Sequence, residues 1–276
     1  MTFSIVARSA DGSTWGVAVA SKFLAVGNAV PAAVAGVGAI ATQASANVAY
    51  KGLALAHLDD GATAAVALQR LLEEDEGRDH RQVGIVDVDG GAASHTGPAC
   101  FPWAGSLTGE GYAIQGNILT GSEVVEAMER AWLDSAEEPD LARRLLAALT
   151  AGDAAGGDSR GRQSAALLVV REEAGYGGAD DIAVDLRVDD NGSLPDGDPI
   201  AELARLLDLN DLYLTASTEE EKVPVTPELE AELSAFAERE GSRDFLSWVG
   251  AQNYEMRVAE DLSWIDQRIL AIVRAS

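Results

Sequence analysis

The residue with the clearest chemical potential is Thr2, which directly follows Met1. If Met1 is removed, the chain begins with a threonine that carries a hydroxyl nucleophile and, on the same residue, a free α-amine. Such an amine has a reference pKa of about 7.7–8.0, so it is available as a base near neutral pH. The pattern predicts attack on an amide without a histidine. The alternative is that Thr2 is an ordinary small residue after the initiator.

Two further residues fit roles around that nucleophile. Lys22 follows the second predicted strand, where its ammonium would lower the pKa of the Thr2 amine by like-charge repulsion. Asn117, in Gln-Gly-Asn-Ile-Leu, has a side-chain amide that would donate to the oxyanion formed on attack. The alternatives are a surface lysine and an asparagine that only shapes a turn.

Residues for substrate binding are predicted at three other places. Ser21 ends the second strand close to Thr2, and Gln43 and Asn47 in TQASAN would hold a substrate amide or carboxylate unless they are only loop residues.

The third place is the glycine-rich loop GGDSRGRQS, which contains Arg160, Arg162 and Gln163. Two guanidinium groups there would clamp a carboxylate, which suits an amino-acid or peptide-like substrate. The alternative is that both arginines pair with nearby acidic residues, namely Asp153, Asp158 or Glu172.

Other chemistries find little support in the sequence. The histidines at 57, 80 and 95 lack metal-ligand spacing, and the chain contains no phosphate-loop or dinucleotide-binding glycine pattern. We therefore expect no metal and no cofactor. Cys100 is the single cysteine, so a disulfide framework is excluded. A cysteine hydrolase that uses Cys100 with His95 is a third, testable hypothesis.

The elements that would position these residues alternate between strands and helices. Runs rich in Val, Ile and Ala predict a hairpin of Thr2–Arg8 and Thr14–Ser21 around the turn residues Ala10–Ser13. Further predicted strands are Val37–Thr42, Gln82–Val88, Ala92–His95, Ala165–Val170 and Ile182–Val188, and predicted helices are Leu53–Leu72, a helix capped by Ser122, and Leu141–Leu149. This order predicts an α+β fold with helices covering antiparallel sheets.

The character of the chain changes after residue 197. Acidic helices are predicted at Pro199–Leu209, at Pro227–Glu240 after an N-cap at Thr226, and at Ala259–Arg274, with a charged linker at Ser217–Lys222. We predict one domain over residues 1–197 and an acidic helical region over 198–276.

The net charge of the chain limits the classes of macromolecule that it can bind. The chain has 276 residues, with 45 acidic against 20 basic and a formal net charge of −25, so nucleic acid and anionic membranes are improbable partners. The sequence contains no apolar run of about 18 residues and no basic-then-apolar N-terminus, which favours a cytoplasmic protein. Dispersed acid with only three lysines suggests a salty cytoplasm, although a GC-rich genome would also replace lysine with arginine.

Seven stretches of the sequence also carry a resemblance to a known family. In order along the chain they are TFSIVAR (2–8), GVAVASKFLAVG (16–27), AGVGAIATQASAN (35–47), HRQVGIVD (80–87), TGPACFPWAG (96–105), AIQGNILTG (113–121) and GGDSRGRQSAALLVV (156–170). The chain resembles the N-terminal-nucleophile (Ntn) hydrolases and, more closely, the uncharacterised family called domain of unknown function 1028. The resemblance implies a four-layer αββα sandwich and, by analogy, a homo-oligomer. AELARLLDLNDLYL (201–214) and SWVGAQNYEMR (247–257) resemble fragments of a peptidoglycan-binding-like module. We expect a small structural or oligomerisation appendage there, and the alternative is a wall-binding role.

Together these observations predict an Ntn-type amidohydrolase in which Thr2 attacks a small-molecule amide or small peptide after removal of Met1. The rival hypothesis is a catalytically silent binding or scaffold protein on the same fold. It gains weight if Met1 is retained, because a methionyl group on the Thr2 nitrogen removes the base.

Overall fold

The computed structural model describes residues 2–276. The strands are β1 (Thr2–Arg8), β2 (Thr14–Ser21), β3 (Pro31–Val34), β4 (Gly38–Ala44), β5 (Arg81–Asp87), β6 (Ala92–Thr96), β7 (Gly105–Gly109), β8 (Tyr112–Asn117), β9 (Ser164–Arg171), β10 (Ile182–Val188), β11 (Lys222–Pro224) and β12 (Trp264–Asp266). The helices are α1 (Val26–Ala29), α2 (Ala49–Asp59), α3 (Ala64–Glu73), α4 (Glu123–Asp134), α5 (Leu141–Ala154), α6 (Pro199–Leu214), α7 (Pro227–Arg239), α8 (Phe245–Ala251) and α9 (Gln267–Ala275).

The first hairpin has the bounds that the sequence predicts, with Phe3 opposite Ala20 and Arg8 opposite Trp15. Its strands lie at the centre of a six-stranded antiparallel sheet in the order β10-β9-β2-β1-β8-β7. Both strands are buried along almost their whole length. Burial on two faces explains why they read as nearly continuous apolar runs rather than as alternating ones.

A second antiparallel sheet, in the order β3-β4-β5-β6, packs against the first. Helices α4 and α5 contact the six-stranded sheet, and α2 and α3 contact the four-stranded sheet. Each of the two sheets therefore has its own pair of contacting helices. The predicted α+β class is confirmed.

The predicted helix Leu53–Leu72 is wrong, because the chain forms α2 and α3 there with a break between them. Gly61 in the break has a φ of +85°, a conformation that helices do not contain. Thr63 then begins α3 by accepting a hydrogen bond from the Val66 amide. The apolar periodicity continues across the break, which is why it predicts a single helix.

Two short strands of the large sheets and the pair β11–β12 were not predicted, and one cap is only partly as predicted. Strands β3 and β7 are edge strands of the two sheets. Ser122 does precede α4, but its side chain makes no capping hydrogen bond, since its backbone is already helical rather than extended.

The chain divides into two compact units, one up to Arg205 and one from Leu206 to Ser276. The division falls within α6, whereas the sequence prediction set the boundary after residue 197. The second unit has its own apolar core, built from α7, α8 and α9. In it Phe245 stacks on Trp248, and Phe236 meets both rings edge-on.

Within the second unit the predicted helix Ala259–Arg274 is wrong at its first half. A turn at Asp261–Ser263 leads into strand β12, which pairs with β11, and α9 begins only at Gln267. Leu262 in that turn has a φ of +59°. Asp266 then caps α9 through the Arg268 amide.

Among residues 2–276, no helix is both long and apolar enough to cross a bilayer.

Candidate active site

Thr2 lies at the beginning of the central strand β1, where the chain is still almost completely enclosed. The residue is 6% exposed, and its hydroxyl oxygen is 3.1 Å from the Ser21 hydroxyl oxygen at the end of β2. On the other side, Thr2 is directly opposite Asn117, the last residue of β8. The structure therefore brings together three of the predicted site residues at one end of the six-stranded sheet.

Asn117 is held in place by a glutamine from the other sheet. Its side-chain amide donates to Oε1 of Gln82 at 2.8 Å, and the Asn117 side chain is only 2% exposed. The Gln82 amide group in turn donates to the Gly116 carbonyl and to the Thr96 hydroxyl. Because Gln82 is fixed from both ends of its amide, it fixes the direction of the Asn117 amide as well.

Gln43 links the same network to Thr2. Its amide nitrogen lies 3.2 Å from the Thr2 carbonyl oxygen and 2.8 Å from Oε1 of Gln82. Its amide oxygen accepts a hydrogen bond from Ser4, and Ser4 accepts one from Gln115. All of these side chains are at most 1% exposed. Gln43 thus contacts the backbone of Thr2 and other buried protein groups, and its predicted role in holding a substrate amide or carboxylate stays a prediction.

This polar layer between the two sheets is completed by three residues that were not predicted, Ser4, Gln82 and Gln115. Each is a polar residue inside a strand that is otherwise buried and apolar. A buried polar side chain is costly unless it is hydrogen-bonded, so polar residues in such runs are a readable signal of a network.

Ser164 is the first residue of β9, the strand beside β2, and lies opposite Ser21. Its hydroxyl donates to the Phe23 carbonyl and accepts from the Val26 amide, so it fastens the segment after β2. Lys22 in that segment donates its backbone amide to the buried carboxylate of Asp158 at 2.7 Å. Its ammonium donates to the Arg162 carbonyl. Lys22 therefore joins the end of β2 to the glycine-rich loop.

The glycine-rich loop places its two arginines differently. Arg162 forms an ion pair with Asp153, which raises the pKa of the guanidinium, and a second pair with Asp198 at 3.3 Å. Arg160 contacts Asp158, which also accepts from the Arg160 backbone amide. Pairing with acidic residues was the alternative reading of both arginines.

Two other predicted substrate-binding residues have partners outside the Thr2 cluster. The Gln163 amide donates to Asp190 at 3.0 Å. Asn47 caps the start of α2 through the Ala49 amide and lies 3.4 Å from a carboxylate oxygen of Asp75.

A cavity of about 280 Å³ opens beside Asn117. Its walls include Ser45, His80, Cys100, Ile118 and Arg160. Burial raises the pKa of the Cys100 thiol, which disfavours a thiolate nucleophile at neutral pH. The described part of the chain holds no group of three or more His, Cys, Asp or Glu side chains arranged for a metal ion. The predicted removal of Met1 concerns a residue outside the described range.

Comparison with known proteins adds three findings. No curated protein matches the chain. Among solved structures, a mutant of Anbu from Hyphomicrobium sp. strain MC1 is 11% identical, with a TM-score of 0.34, over 75% of this chain and 94% of its own. The crystal structure of protein SPO2555 from Silicibacter pomeroyi is 32% identical, with a TM-score of 0.68, over 76% of this chain and 86% of its own.

The SPO2555 structure is described as a member of the family DUF1028. The same family, described as a family of unknown function, matches residues 2–203 of this chain, which include β1 through β10 and every predicted site residue. The chain therefore belongs to the DUF1028 family of unknown function, as its sequence motifs predict.

Proposed function

We propose that this protein is an N-terminal-nucleophile amidohydrolase that cleaves a small amide or peptide through Thr2. The observation that carries the proposal is the position of Thr2: a hydroxyl at the start of a central strand, beside Ser21 and directly opposite Asn117. Two packed sheets, each with its own pair of contacting helices, support an Ntn-type sandwich.

The chemistry requires that Met1 be absent, so that Thr2 has a free α-amine. The amine takes the proton of the Thr2 hydroxyl while the hydroxyl oxygen of Thr2 forms a bond to the substrate carbonyl carbon. When the tetrahedral intermediate collapses, the C–N bond breaks and the leaving amine receives that proton. Water then attacks the resulting ester with the amine again as base, which releases the acid and restores the Thr2 hydroxyl.

Asn117 is the side chain suited to stabilise the oxyanion. Its amide is adjacent to Thr2 across the β1–β8 pair and is oriented by Gln82, so a donor is fixed before the charge develops. Fixed donors lose little energy to reorganisation during the reaction. We expect Asn117→Ala to slow acylation of Thr2 by about 100-fold to 1,000-fold, as removal of one such donor does elsewhere.

The proposed role of Lys22 is to keep the Thr2 amine unprotonated by placing a positive charge near it. Its attachment to the Arg162 carbonyl gives that charge a fixed position. Lys22→Met is expected to move the acid limb of the pH–rate profile to higher pH, because the amine would hold its proton more tightly.

The test needs no known substrate. The intact mass of natively produced protein shows whether Met1 is removed, and a β-lactone probe then reports on Thr2, since ring opening leaves the whole probe attached as an ester. We expect one adduct per chain, mapped to Thr2 by peptide mass spectrometry. It should be lost in Thr2→Ala and retained in Thr2→Ser.

The matched control is Thr14→Ala, which removes a threonine hydroxyl from the far end of the same hairpin. This variant should label at the wild-type rate. Equal labelling of Thr2→Ala would rule out Thr2 as the nucleophile, and labelling that maps to Cys100 would point to the cysteine hydrolase. Retention of Met1 in the native protein would favour the silent scaffold.

A further inference from the structure

The cavity beside Asn117 has the walls of an anion pocket, although the protein around it is strongly acidic. The chain has a net charge of −25, yet no Asp or Glu is among the described residues that line this cavity. Arg160, which contacts Asp158, is the charged residue among those that line it, and His80 and Ser45 are polar lining residues. An acid-free cavity with an arginine is the place on such a surface where an anion is least repelled.

The side chain of Arg160 is 44% exposed and is held from one side by Asp158. Asp158, which is 7% exposed, accepts from the Arg160 backbone amide at 2.9 Å and contacts its guanidinium at 3.3 Å. Asp158 also accepts from the Lys22 amide, so the anchor of Arg160 is the same carboxylate that fastens the end of β2. The pocket and the Thr2 strand ends are thus parts of one connected structure.

A second cation contacts Ser45, another residue that lines the cavity. The Arg81 guanidinium lies 2.5 Å from the Ser45 carbonyl oxygen and 3.2 Å from its hydroxyl. Arg81 also pairs with Asp75, so its position is fixed from two sides. Arg81 therefore holds Ser45 at the cavity through both its carbonyl and its hydroxyl oxygen.

The backbone of the cavity wall is strained at two places. Ala44 has a φ of +65° and Ile118 a φ of +51°, and each directly follows a residue of the Thr2 network, Gln43 and Asn117. A β-branched residue is rarely found in the left-handed region. Hydrogen bonds to Phe101 and Ser159 hold Ile118 there. Strain that the surroundings maintain is concentrated at ligand sites.

We propose that this cavity binds a carboxylate group of the substrate, so that the amide cleaved at Thr2 belongs to a small, acidic molecule such as an acylated amino acid. The proposal rests on the function proposed above for Thr2. The volume of about 280 Å³ is slightly below the roughly 300 Å³ at which pockets for drug-sized ligands begin, which limits the occupant to a small group. A guanidinium has five N–H donors in a planar fork that matches a carboxylate, which makes Arg160 the residue for this role although it also contacts Asp158.

The test compares two probes that differ in a single group, N-acetylglycine and its neutral counterpart N-acetylglycinamide. Calorimetric titration at constant ionic strength should give a Kd for the acid at least about tenfold lower than for the amide. Arg160→Gln should abolish that preference and Arg160→Lys should reduce it. Arg205→Gln, which removes one exposed arginine outside the cavity, should leave it unchanged.

A second measurement keeps the test valid if Arg160→Gln fails to fold. In the wild-type protein, N-acetylglycine should protect Arg160 from phenylglyoxal by severalfold, and N-acetylglycinamide should not, with modification read by peptide mass spectrometry. Equal affinity for both probes, or equal protection, would overturn the proposal.

The proposal that the cavity binds a carboxylate and the proposal that Thr2 is the nucleophile can be disproved separately. Thr2→Ala should still prefer the acid, because the cavity does not depend on the Thr2 hydroxyl. If the probe preference depends on Arg160 but the β-lactone never labels Thr2, the pocket stands and the hydrolase does not. If Thr2 is labelled and both probes bind alike, the hydrolase stands and its substrate is not a carboxylate.

Discussion

Gln82 is the residue on which the polar layer between the sheets most depends. Its amide oxygen accepts from both Asn117 and Gln43, and its amide nitrogen donates to atoms of three further residues. Because the residue is fully buried, every one of these groups would otherwise lack water as a partner. Gln82 thus holds the candidate oxyanion donor and the support of the Thr2 carbonyl at the same time.

Gly84 provides space for this layer, and its substitution makes a sharp prediction. A Cβ at Gly84 would lie 2.0 Å from Oε1 and 2.6 Å from Cδ of Gln115, so the Gln115 side chain would have to move. Moving it breaks its hydrogen bond to Ser4 in a fully buried site. We expect Gly84→Ala to lower the free energy of unfolding by roughly 1–3 kcal/mol, measured by urea denaturation.

The control for this prediction is Gly52→Ala. Gly52 lies within α2, and a Cβ there would meet nothing within 4 Å. An alanine in an exposed helix interior should instead stabilise the protein, by about 0.5–1 kcal/mol. A Gly84→Ala protein as stable as the wild type would show that Gln115 has room to move.

Individual site residues were predictable to the extent that their chemistry is local. Thr2 could be named from its position after Met1, and Asn117 from the resemblance. The polar residues Ser4, Gln82 and Gln115 in apolar strands do signal a buried network. Their hydrogen-bond partners could not be foreseen, since these depend on which strand of one sheet faces which strand of the other. That alignment is a property of packing and leaves no local trace.

At the scale of elements, prediction succeeded where burial and turn chemistry agree, as in the β1–β2 hairpin. It failed between α2 and α3, where the apolar spacing continues past Gly61 and Thr63, although both residues are signals of a break. Edge strands such as β3 and β7 are short, and tertiary pairing rather than propensity defines them.

A cluster around Asp75 ties α2 to the first residue of β5. The Asp75 carboxylate accepts from Arg81 at 2.8 Å, from the Tyr50 hydroxyl at 2.7 Å and from the Gly77 amide. The Arg81 hydrogen bond is the largest cause that holds the pKa of Asp75 well below its usual range, whereas burial and the Asp75 charge raise the pKa of Tyr50. The two elements thus share one ionised carboxylate.

The depressed pKa of Asp75 predicts a stability loss in acid. Above the unfolded pKa of about 3.9 both states are ionised, and the folded state keeps the full stabilisation. Below it the unfolded state binds a proton first, so stability falls as the pH approaches the lower folded pKa. We expect Asp75→Asn to cost roughly 1–3 kcal/mol at pH 7 and progressively less below pH 4, by urea denaturation at each pH.

Asp185→Asn is the matched control, because Asp185 pairs with Arg187 on the exposed face of β10. Its effect should stay within roughly 0–1 kcal/mol at pH 7. If the cost of Asp75→Asn is the same at pH 3 as at pH 7, the carboxylate contributes through shape rather than through its charge.

At the scale of the whole molecule, the excess of acidic residues is the dominant feature. With 45 acidic and 20 basic residues, most carboxylates have no basic partner available anywhere in the chain. Several arginines pair with acidic residues close in sequence, such as Arg205 with Glu202 and Arg243 with Asp244, and these exposed pairs contribute little to stability. Self-repulsion of the remaining charge opposes the compact state.

This repulsion makes stability depend on salt. Raising KCl from 0.1 to 1 M shortens the screening length from about 10 Å to about 3 Å, which weakens repulsion between carboxylates more than it weakens close ion pairs. We expect the thermal midpoint, followed by circular dichroism at pH 7, to rise by roughly 2–4 °C for each 1 kcal/mol gained. The same titration near the pH of zero net charge should show little or no rise, because the repulsion is then absent. A midpoint at pH 7 that falls with KCl would mean that the ion pairs outweigh the repulsion and that the acidic surface is not an adaptation to salt.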